Sequence, residues 1–454
     1  MTQQFQEQGG VATMDPKPIA RWLTSRLMTR LFSDASVAKK HAAAEKRRLA
    51  TGSPHRVDYF HQVDDGYSHL AAQILERFAE RYDVELHCHL VTGPQGKNAA
   101  EPELLTRLSC YDASCIAAGY GLTFPESAQT PSPDLVGQAT AILAAQDSAN
   151  FGRCATLVGE ALWASDTARL RELESQWGYA SAEAAAAAVD AGTQRRPALK
   201  HYSGAMFLYG DEWYWGVDRF CHLEQRLARL GADRRDGEPL IAPRPAVDWG
   251  TTRDSGSLTL EFYPSLRSPY TAIVYDRVIE LVKDSGVTLV LRPVLPMVMR
   301  GVPATREKGM YIFMDTAREA RAAGVPYGNF YDPIGNPARR CYSLFPWATE
   351  QGRGSELLSS FLRHAFALGV NTNNDRGLRK VVKSAGLNWR EAQAHLGSDG
   401  WQDLLEANRL SMYGAGLWGV PSFRLLDANG ESLLALWGQD RLWVIAQEIR
   451  RQLQ

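Results

Sequence analysis

The sequence predicts an α/β protein of two tandem, similar domains, each a small sheet interrupted by a helical insertion. Two observations carry this. An internal repeat sets Val57-Asp58-Tyr59-Phe60 on Leu260-Glu261-Phe262-Tyr263 and runs without a gap to about Leu90 and Pro293. Both copies then finish alike, on two strands joined by a turn, a W-G-x-D-R sequence and a last helix.

The repeat places Tyr67 on Tyr270, Leu75 on Val278, Phe78 on Leu281, Val84 on Val287 and Leu86 on Leu289. Each copy reads strand, loop, helix, strand. β-Branched and aromatic runs give the strands, Arg56 to Phe60 with Glu85 to Val91, and Leu258 to Tyr263 with Thr288 to Val294. Helical periodicity covers about Tyr67 to Tyr82 and Tyr270 to Ser285. The closing hairpins turn at Gly210-Asp211 and Asn429-Gly430. Between start and finish lie Ala/Leu/Glu/Arg-rich stretches; in the second copy they predict helices at roughly 305–323, 354–368, 375–385, 388–396 and 399–415. The Pro- and Arg-rich stretch with Pro239, Pro243 and Pro245 reads as a linker. The expected layout is a helical arm over 1–54, a first domain over 55–232, a linker over 233–257 and a second domain over 258–454.

The arm begins with a polar Met1 to Met14 that lacks a secretory pattern. Ile19, Trp22, Leu23, Leu27, Leu31 and Phe32 then recur at helical spacing, interleaved with Arg21, Arg26 and Arg30. That acid-free stretch has something of a transit peptide. The mixed-charge run that follows favours an amphipathic arm packed on the body, helical to about Ala50.

Composition sets the outer limits. The 454 residues are 45% hydrophobic and 22% charged, and 50 Lys+Arg against 51 Asp+Glu leave a net charge of −1. A disordered, collagenous or membrane-spanning chain is excluded, and no overall basic field is available for nucleic acid or an anionic membrane. The expected partner is a small-molecule substrate, with no nucleic acid and no membrane. Six cysteines (Cys88, Cys110, Cys115, Cys154, Cys221 and Cys341) are too few for a disulfide scaffold, and none forms C-x-x-C. A reducing cytoplasm is the simplest home. His87-Cys88-His89 has no further ligand cluster in sight, so no metal is expected.

In the second copy, Phe262-Tyr263 precede Ser268-Pro269-Tyr270; Arg292-Pro293-Val294-Leu295, Lys308 and Tyr311, Gly419-Val420-Pro421-Ser422-Phe423 and Trp437-Gly438-Gln439-Asp440-Arg441 follow in order. Together they resemble the thioredoxin-fold branch with a helical insertion: the DsbA-like oxidoreductases, the kappa-class glutathione transferases and the 2-hydroxychromene-2-carboxylate isomerases. The resemblance spans nearly all of the second domain and implies two tandem thioredoxin-like domains of DsbA-like architecture.

Disulfide-exchanging members open the first helix with C-x-x-C, where the helix N-terminus stabilises a thiolate. This chain has Ser268-Pro269-Tyr270-Thr271 there, which excludes dithiol exchange at that place. A serine hydroxyl can instead donate to a bound thiolate and lower its pKa. The resemblance implies that role for Ser268 towards glutathione, with Val420 and a cis Pro421 pairing a peptide-like ligand, and Gln439-Asp440 gripping its γ-glutamyl end. Gln439 stands where the kappa-class pattern often has serine. Plain N-caps at Ser268 and Asp440 are the competing readings. Lys308 and Tyr311 share a helical face and could reach glutathione carboxylates or a substrate oxyanion. Tyr270, Arg292, Met297, Met299 and Trp418 are expected to line an apolar substrate pocket, because Pro296 to Gly301 replaces the family's Lys- and Asn-bearing loop.

The first copy has Asp65 at the serine position and Ala205 at the proline position, so it reads as degenerate. The expected activity is glutathione-dependent isomerisation or transfer on a small apolar electrophile. The alternatives are a non-catalytic DsbA-like module that binds a peptide or partner, and a DsbA-family oxidoreductase lacking C-x-x-C. The chain is expected to be either a monomer whose two copies form an intramolecular pseudo-dimer, or a homodimer.

Overall fold

The computed structural model describes residues 15–126, 128–302 and 304–454. The expectation for Met1 to Met14 lies outside the described residues. The arm is two helices, α1 (Pro18–Leu31) and α2 (Asp34–Thr51). The single helix expected to about Ala50 breaks at Phe32, which is buried and stacks on Phe313 with centroids 6.2 Å apart. Ser33 then restarts the helix, its hydroxyl accepting the Ser36 N–H at 3.3 Å.

The chain continues with β1 (His55–His61), α3 (Gly66–Arg81) and β2 (Val84–Leu90). An insertion follows: α4 (Pro102–Ala117), α5 (Pro133–Ala144), α6 (Ser148–Trp163), α7 (Thr167–Trp177) and α8 (Ala182–Ala198). β3 (Met206–Tyr209), β4 (Glu212–Trp215) and α9 (Gly216–Arg229) close this part. The second part repeats the scheme with β5 (Thr259–Tyr263), α10 (Pro269–Ser285) and β6 (Thr288–Leu291). Its insertion is α11 (Arg306–Ala322), α12 (Asn336–Glu350), α13 (Gly354–Phe366), α14 (Asp375–Ser384), α15 (Trp389–His395) and α16 (Trp401–Gly414). β7 (Ser422–Leu426), β8 (Ser432–Trp437) and α17 (Leu442–Gln452) finish it.

The two sheets have the same topology, β2-β1-β3-β4 and β6-β5-β7-β8. In each, the first two strands run parallel around a crossover helix and the last two form an antiparallel hairpin. The register matches too, with Asp58 opposite His87 and Glu261 opposite Val290. Contacts divide the chain into two compact units: Ala38–Ala246, and Val247–Gln454 together with the chain up to Val37. The boundary falls inside α2, so the arm expected over 1–54 is shared between the units. The linker divides as well. The Glu224 carboxylate accepts the N–H groups of Ile241 and Ala242 at 2.7 and 3.1 Å, while Asp254 accepts those of Gly256, Ser257 and Leu258.

Each core is built from aromatic stacking across its sheet. Tyr59 lies on Phe207 at 4.6 Å, and Phe262 on Phe423 at 5.1 Å with an interplanar angle of 8°. In the second unit the crossover helix closes the core with Ile273, Val274, Val278 and Leu281, all essentially without exposure.

One element departs from amphipathic expectation. In α1 the buried side chains are Arg21 and Ser25, whereas Ile19, Trp22, Leu23 and Leu27 are 75, 48, 55 and 55% exposed. The expected packing of the apolar face on the body is reversed. The cause is a polar seat: Arg21 donates to the carbonyls of Asp332 and Ile334 at 2.6 and 2.7 Å. Ser25 and Thr29 hydroxyls accept the N–H groups of Asp332 and Phe330.

Candidate functional site

The N-terminus of α10 organises the site. Ser268 has extended backbone angles (φ −82°, ψ 117°), Pro269 follows at the first helical position, and the Ser268 oxygen accepts the Thr271 N–H at 3.2 Å. The plain N-cap is therefore present. The same hydroxyl also donates to the carbonyl of Val420 at 3.3 Å. Val420–Pro421 is a cis peptide, and Ser268 is 9% exposed.

The Val420 loop is held by its neighbours. Gly438 N–H donates to the Pro421 carbonyl at 3.0 Å, and the Ser422 hydroxyl to the Gly419 carbonyl at 2.8 Å. A Cβ on Gly419 would lie 2.2 Å from the Trp437 indole, so only glycine lets that ring close over the loop. Trp418 packs on the same indole at 4.8 Å. On the other side, Tyr342 bridges two loops, accepting the Leu266 N–H at 3.0 Å and donating to the Val294 carbonyl at 2.9 Å. Arg267 forks onto Asp332 with bonds of 3.0 and 3.2 Å.

Of the other expected site residues, Tyr270, Met297, Lys308, Tyr311, Val420 and Asp440 are partly exposed and Met299 and Trp418 are buried; the one that Ser268 bonds is Val420. Lys308 Nζ lies over the Trp418 ring, 5.9 Å from its centroid, and burial lowers its pKa. A cation–π contact favours the charged form while desolvation opposes it. The Lys308 amine therefore deprotonates more readily than an exposed lysine.

Three expected residues are engaged inside the protein. Gln439 is buried and donates its amide to Glu319 at 2.7 Å. Arg292 donates to Glu261 at 2.6 Å, across the parallel strand pair. Tyr270 donates to Asp315 at 2.7 Å. Asp440 sits in a short 3₁₀ turn, Gln439–Arg441, and does not cap α17. Its carboxylate is 3.5 Å from Arg441.

Asp315, Arg318 and Glu319 were not read from the sequence. All three are buried on α11, Asp315 and Glu319 completely, and Arg318 pairs with Asp315. The i, i+3 spacing of Asp315 and Arg318 is a signal that an exposed helix face would also give, and only burial separates the two cases. Asp315 holds the Tyr270 hydroxyl and Glu319 the Gln439 amide.

The corresponding place in the first unit differs chemically. Asp65 caps α3, accepting the Ser68 N–H at 2.9 Å and the Ser68 hydroxyl at 2.8 Å. Burial raises its pKa to about 6 despite those bonds. Ala205 has a left-handed backbone, φ 54°, and the Val420–Pro421 bond is the one cis peptide among the described residues. His87 and His89 turn to Glu85 and Asp58 at 2.5 and 2.7 Å. No group of three or more potential metal ligands occurs among the described residues. All six cysteines are free thiols.

Residues 259–450 match the DSBA-like thioredoxin domain. No curated protein matches the chain. Among solved structures it is similar to a 2-hydroxychromene-2-carboxylate isomerase at 17% identity and TM-score 0.36, covering 43% of this chain and 95% of that one. A probable DsbA oxidoreductase from Streptomyces coelicolor is 20% identical with TM-score 0.34, over 42% of this chain and 89% of that one. The cytosolic disulfide reductase DsbM from Pseudomonas aeruginosa is 17% identical with TM-score 0.35, over 43% and 100%. These are likenesses of fold.

Proposed function

From the premise that residues 259–450 are a DsbA-like thioredoxin domain whose first helix opens on Ser268 in place of a cysteine pair, we propose that this domain binds glutathione and uses its thiolate for isomerisation or transfer on a small apolar electrophile. The observation that carries the reading is the Ser268 hydroxyl, at a helix N-terminus and 3.3 Å from the Val420 carbonyl. A bond that long is weak. A thiolate beside Ser268 offers a charged acceptor, and charge-assisted bonds are roughly twice as strong as neutral ones. On this reading the hydroxyl turns from Val420 to sulfur, and the helix dipole adds to the stabilisation. The freed Val420 backbone would pair with the peptide-like ligand, with Pro421 beside it.

Asp440 takes the amino end of the γ-glutamyl group. Gln439 contributes by fixing the turn, since Glu319 holds its amide. Lys308, with Tyr311, faces a ligand carboxylate or substrate oxyanion, and Met297, Met299, Trp418 and Tyr270 form the wall against which the electrophile rests. Arg292 stiffens the sheet beneath through Glu261. The thiolate adds to an activated double bond of the electrophile, whose π pair moves onto the substrate oxygen. For isomerisation the C–S bond breaks again as the double bond re-forms; for transfer the C–S bond stays and the adduct takes up a proton from solvent. The first unit serves as a degenerate partner copy. Six free thiols suit a reducing cytoplasm, and no described helix is long and apolar enough to cross a membrane.

A thermal-shift titration with reduced glutathione tests this. Ligand at a hundred times its dissociation constant adds about 2.7 kcal/mol of stability. The upward shift is expected in the parent protein and absent in Ser268→Ala and Asp440→Ala. No shift in the parent overturns the reading. The second reading, a peptide- or partner-binding module without chemistry, draws on Ser268 being already bonded on both sides. It predicts retention of an extended peptide with no glutathione response.

A further inference from the structure

We propose that the outward face of α1 docks the protein onto an anionic phospholipid surface. Ile19, Trp22, Leu23 and Leu27 stand 75, 48, 55 and 55% exposed on one 14-residue helix, an apolar density that marks an interaction surface. Their orientation is fixed by the opposite face, where Arg21 and Ser25 are buried against the backbone of residues 332–334 and Thr29 accepts the Phe330 N–H. Rolling the apolar face inward would strip Arg21 of three acceptors: the two carbonyls and the Asp15 carboxylate.

Charge selects lipid as the occupant. Arg26 and Arg30 are exposed on the same face, Lys17 is exposed at the start of the helix, and Pro18–Leu31 contains no carboxylate. Arg26 and Arg30 follow Trp22 by one and two turns. Their aliphatic stems can lie along Leu23 and Leu27 while the guanidinium groups reach lipid phosphates. The Trp22 indole suits the headgroup boundary, apolar in body with one N–H donor. A helix of 14 residues is too short to span the roughly 20-residue bilayer core, so it lies in the interface. The whole-chain charge of −1 argued against a membrane partner, but the helix presents its own local excess of cations.

Co-sedimentation of the full chain with vesicles provides the test. The protein is expected to pellet with vesicles of two parts phosphatidylcholine to one part phosphatidylglycerol, to stay soluble with phosphatidylcholine alone, and to be released by salt. Reversing both cations (Arg26→Glu with Arg30→Glu) is expected to weaken partition by at least about thirty-fold, from about 1 kcal/mol for each basic residue at an anionic surface. Leu23→Gln with Leu27→Gln is expected to abolish pelleting. These side chains are exposed, so unchanged far-ultraviolet circular dichroism and thermal midpoints should show both variants folded. Two results overturn the proposal: no pelleting with the anionic vesicles, or pelleting that neither variant weakens. In the first case, a doubled mass in light scattering that Leu23→Gln with Leu27→Gln abolishes would give the face to a second copy of the chain.

Discussion

The hydroxyl of Ser268 joins the first turn of α10 to the carbonyl of Val420, 152 positions later in the chain, through one 3.3 Å bond, while its oxygen caps the Thr271 N–H at 3.2 Å. One side chain therefore serves a structural bond and an exchangeable one. The cap belongs to the fold; the proton directed at Val420 can be offered elsewhere. Stability and ligand response can be separated on that basis.

Replacing Ser268 with alanine removes both bonds. Loss of the cap should cost about 1 kcal/mol, which for a unit of this size lowers the thermal midpoint by roughly 2–4 °C. Ser268→Thr keeps a hydroxyl in the same place and should restore the midpoint. Differential scanning calorimetry of the two variants would sink the assignment if threonine behaved like alanine.

Gly419→Ala places a methyl group 2.2 Å from the Trp437 indole. Overpacking of this kind costs about 1–3 kcal/mol, and the Val420 loop would shift with it. Adding Trp437→Leu should recover part of the loss. Urea unfolding of the single and double variants measures this coupling, and strict additivity would contradict the contact.

Asp315 and Arg318 are paired and buried, and Tyr270 donates to the same carboxylate. Neutralising the acid with Asp315→Asn removes one partner of a buried ion pair, a change that costs about 3–5 kcal/mol. Tyr270→Phe removes one hydrogen bond and should cost about 1 kcal/mol, or somewhat more because its acceptor is charged. The predicted order of chemical stability is parent, Tyr270→Phe, then Asp315→Asn. Equal losses in the two variants would show that the ion pair matters no more than the single bond.

In the first unit, burial raises the Asp65 pKa to about 6, above its ordinary value of 3.8. The folded state then keeps a proton that the unfolded chain releases between those values. Stability from this group falls as pH rises from about 4 to about 6 and is flat above that. Asp65→Asn lacks the titration and can still cap Ser68. Relative to the parent it should therefore gain on the order of 2 kcal/mol between pH 4 and pH 7. Urea unfolding at both pH values that gave a constant difference would refute the buried, neutral acid.

The paired sheets were legible because β-branched and aromatic runs, a shared register and matching hairpins all point to one scheme. Predicted helices such as 375–385 and 388–396 lie within a residue or two of Asp375–Ser384 and Trp389–His395. α12 was not among the predicted helices; it carries Pro337 at its first positions and Pro346 inside, and an interior proline removes a helical hydrogen bond. The orientation of α1 was not legible either. Periodicity gives a helix two faces but does not say which one meets the body, and here backbone carbonyls near residue 332 recruit the polar one. The buried acids behind the site are invisible for the same reason. Ser268 and Val420, which share a hydrogen bond, sit in short motifs, whereas the engagement of Gln439 by Glu319 depends on packing between distant segments.

The acids on α11 carry one more implication. Asp315 receives Tyr270 from the opening helix of the sheet unit, and Glu319 receives Gln439 from its closing turn. The first inserted helix is thus riveted to both the opening helix and the closing turn of the sheet unit. An engineer who spliced out 296–416, or exchanged it for a homologous cassette, would strand a phenol and an amide without acceptors. Here the insertion is a beam of the building, and modular transplantation would have to carry both rivets with it.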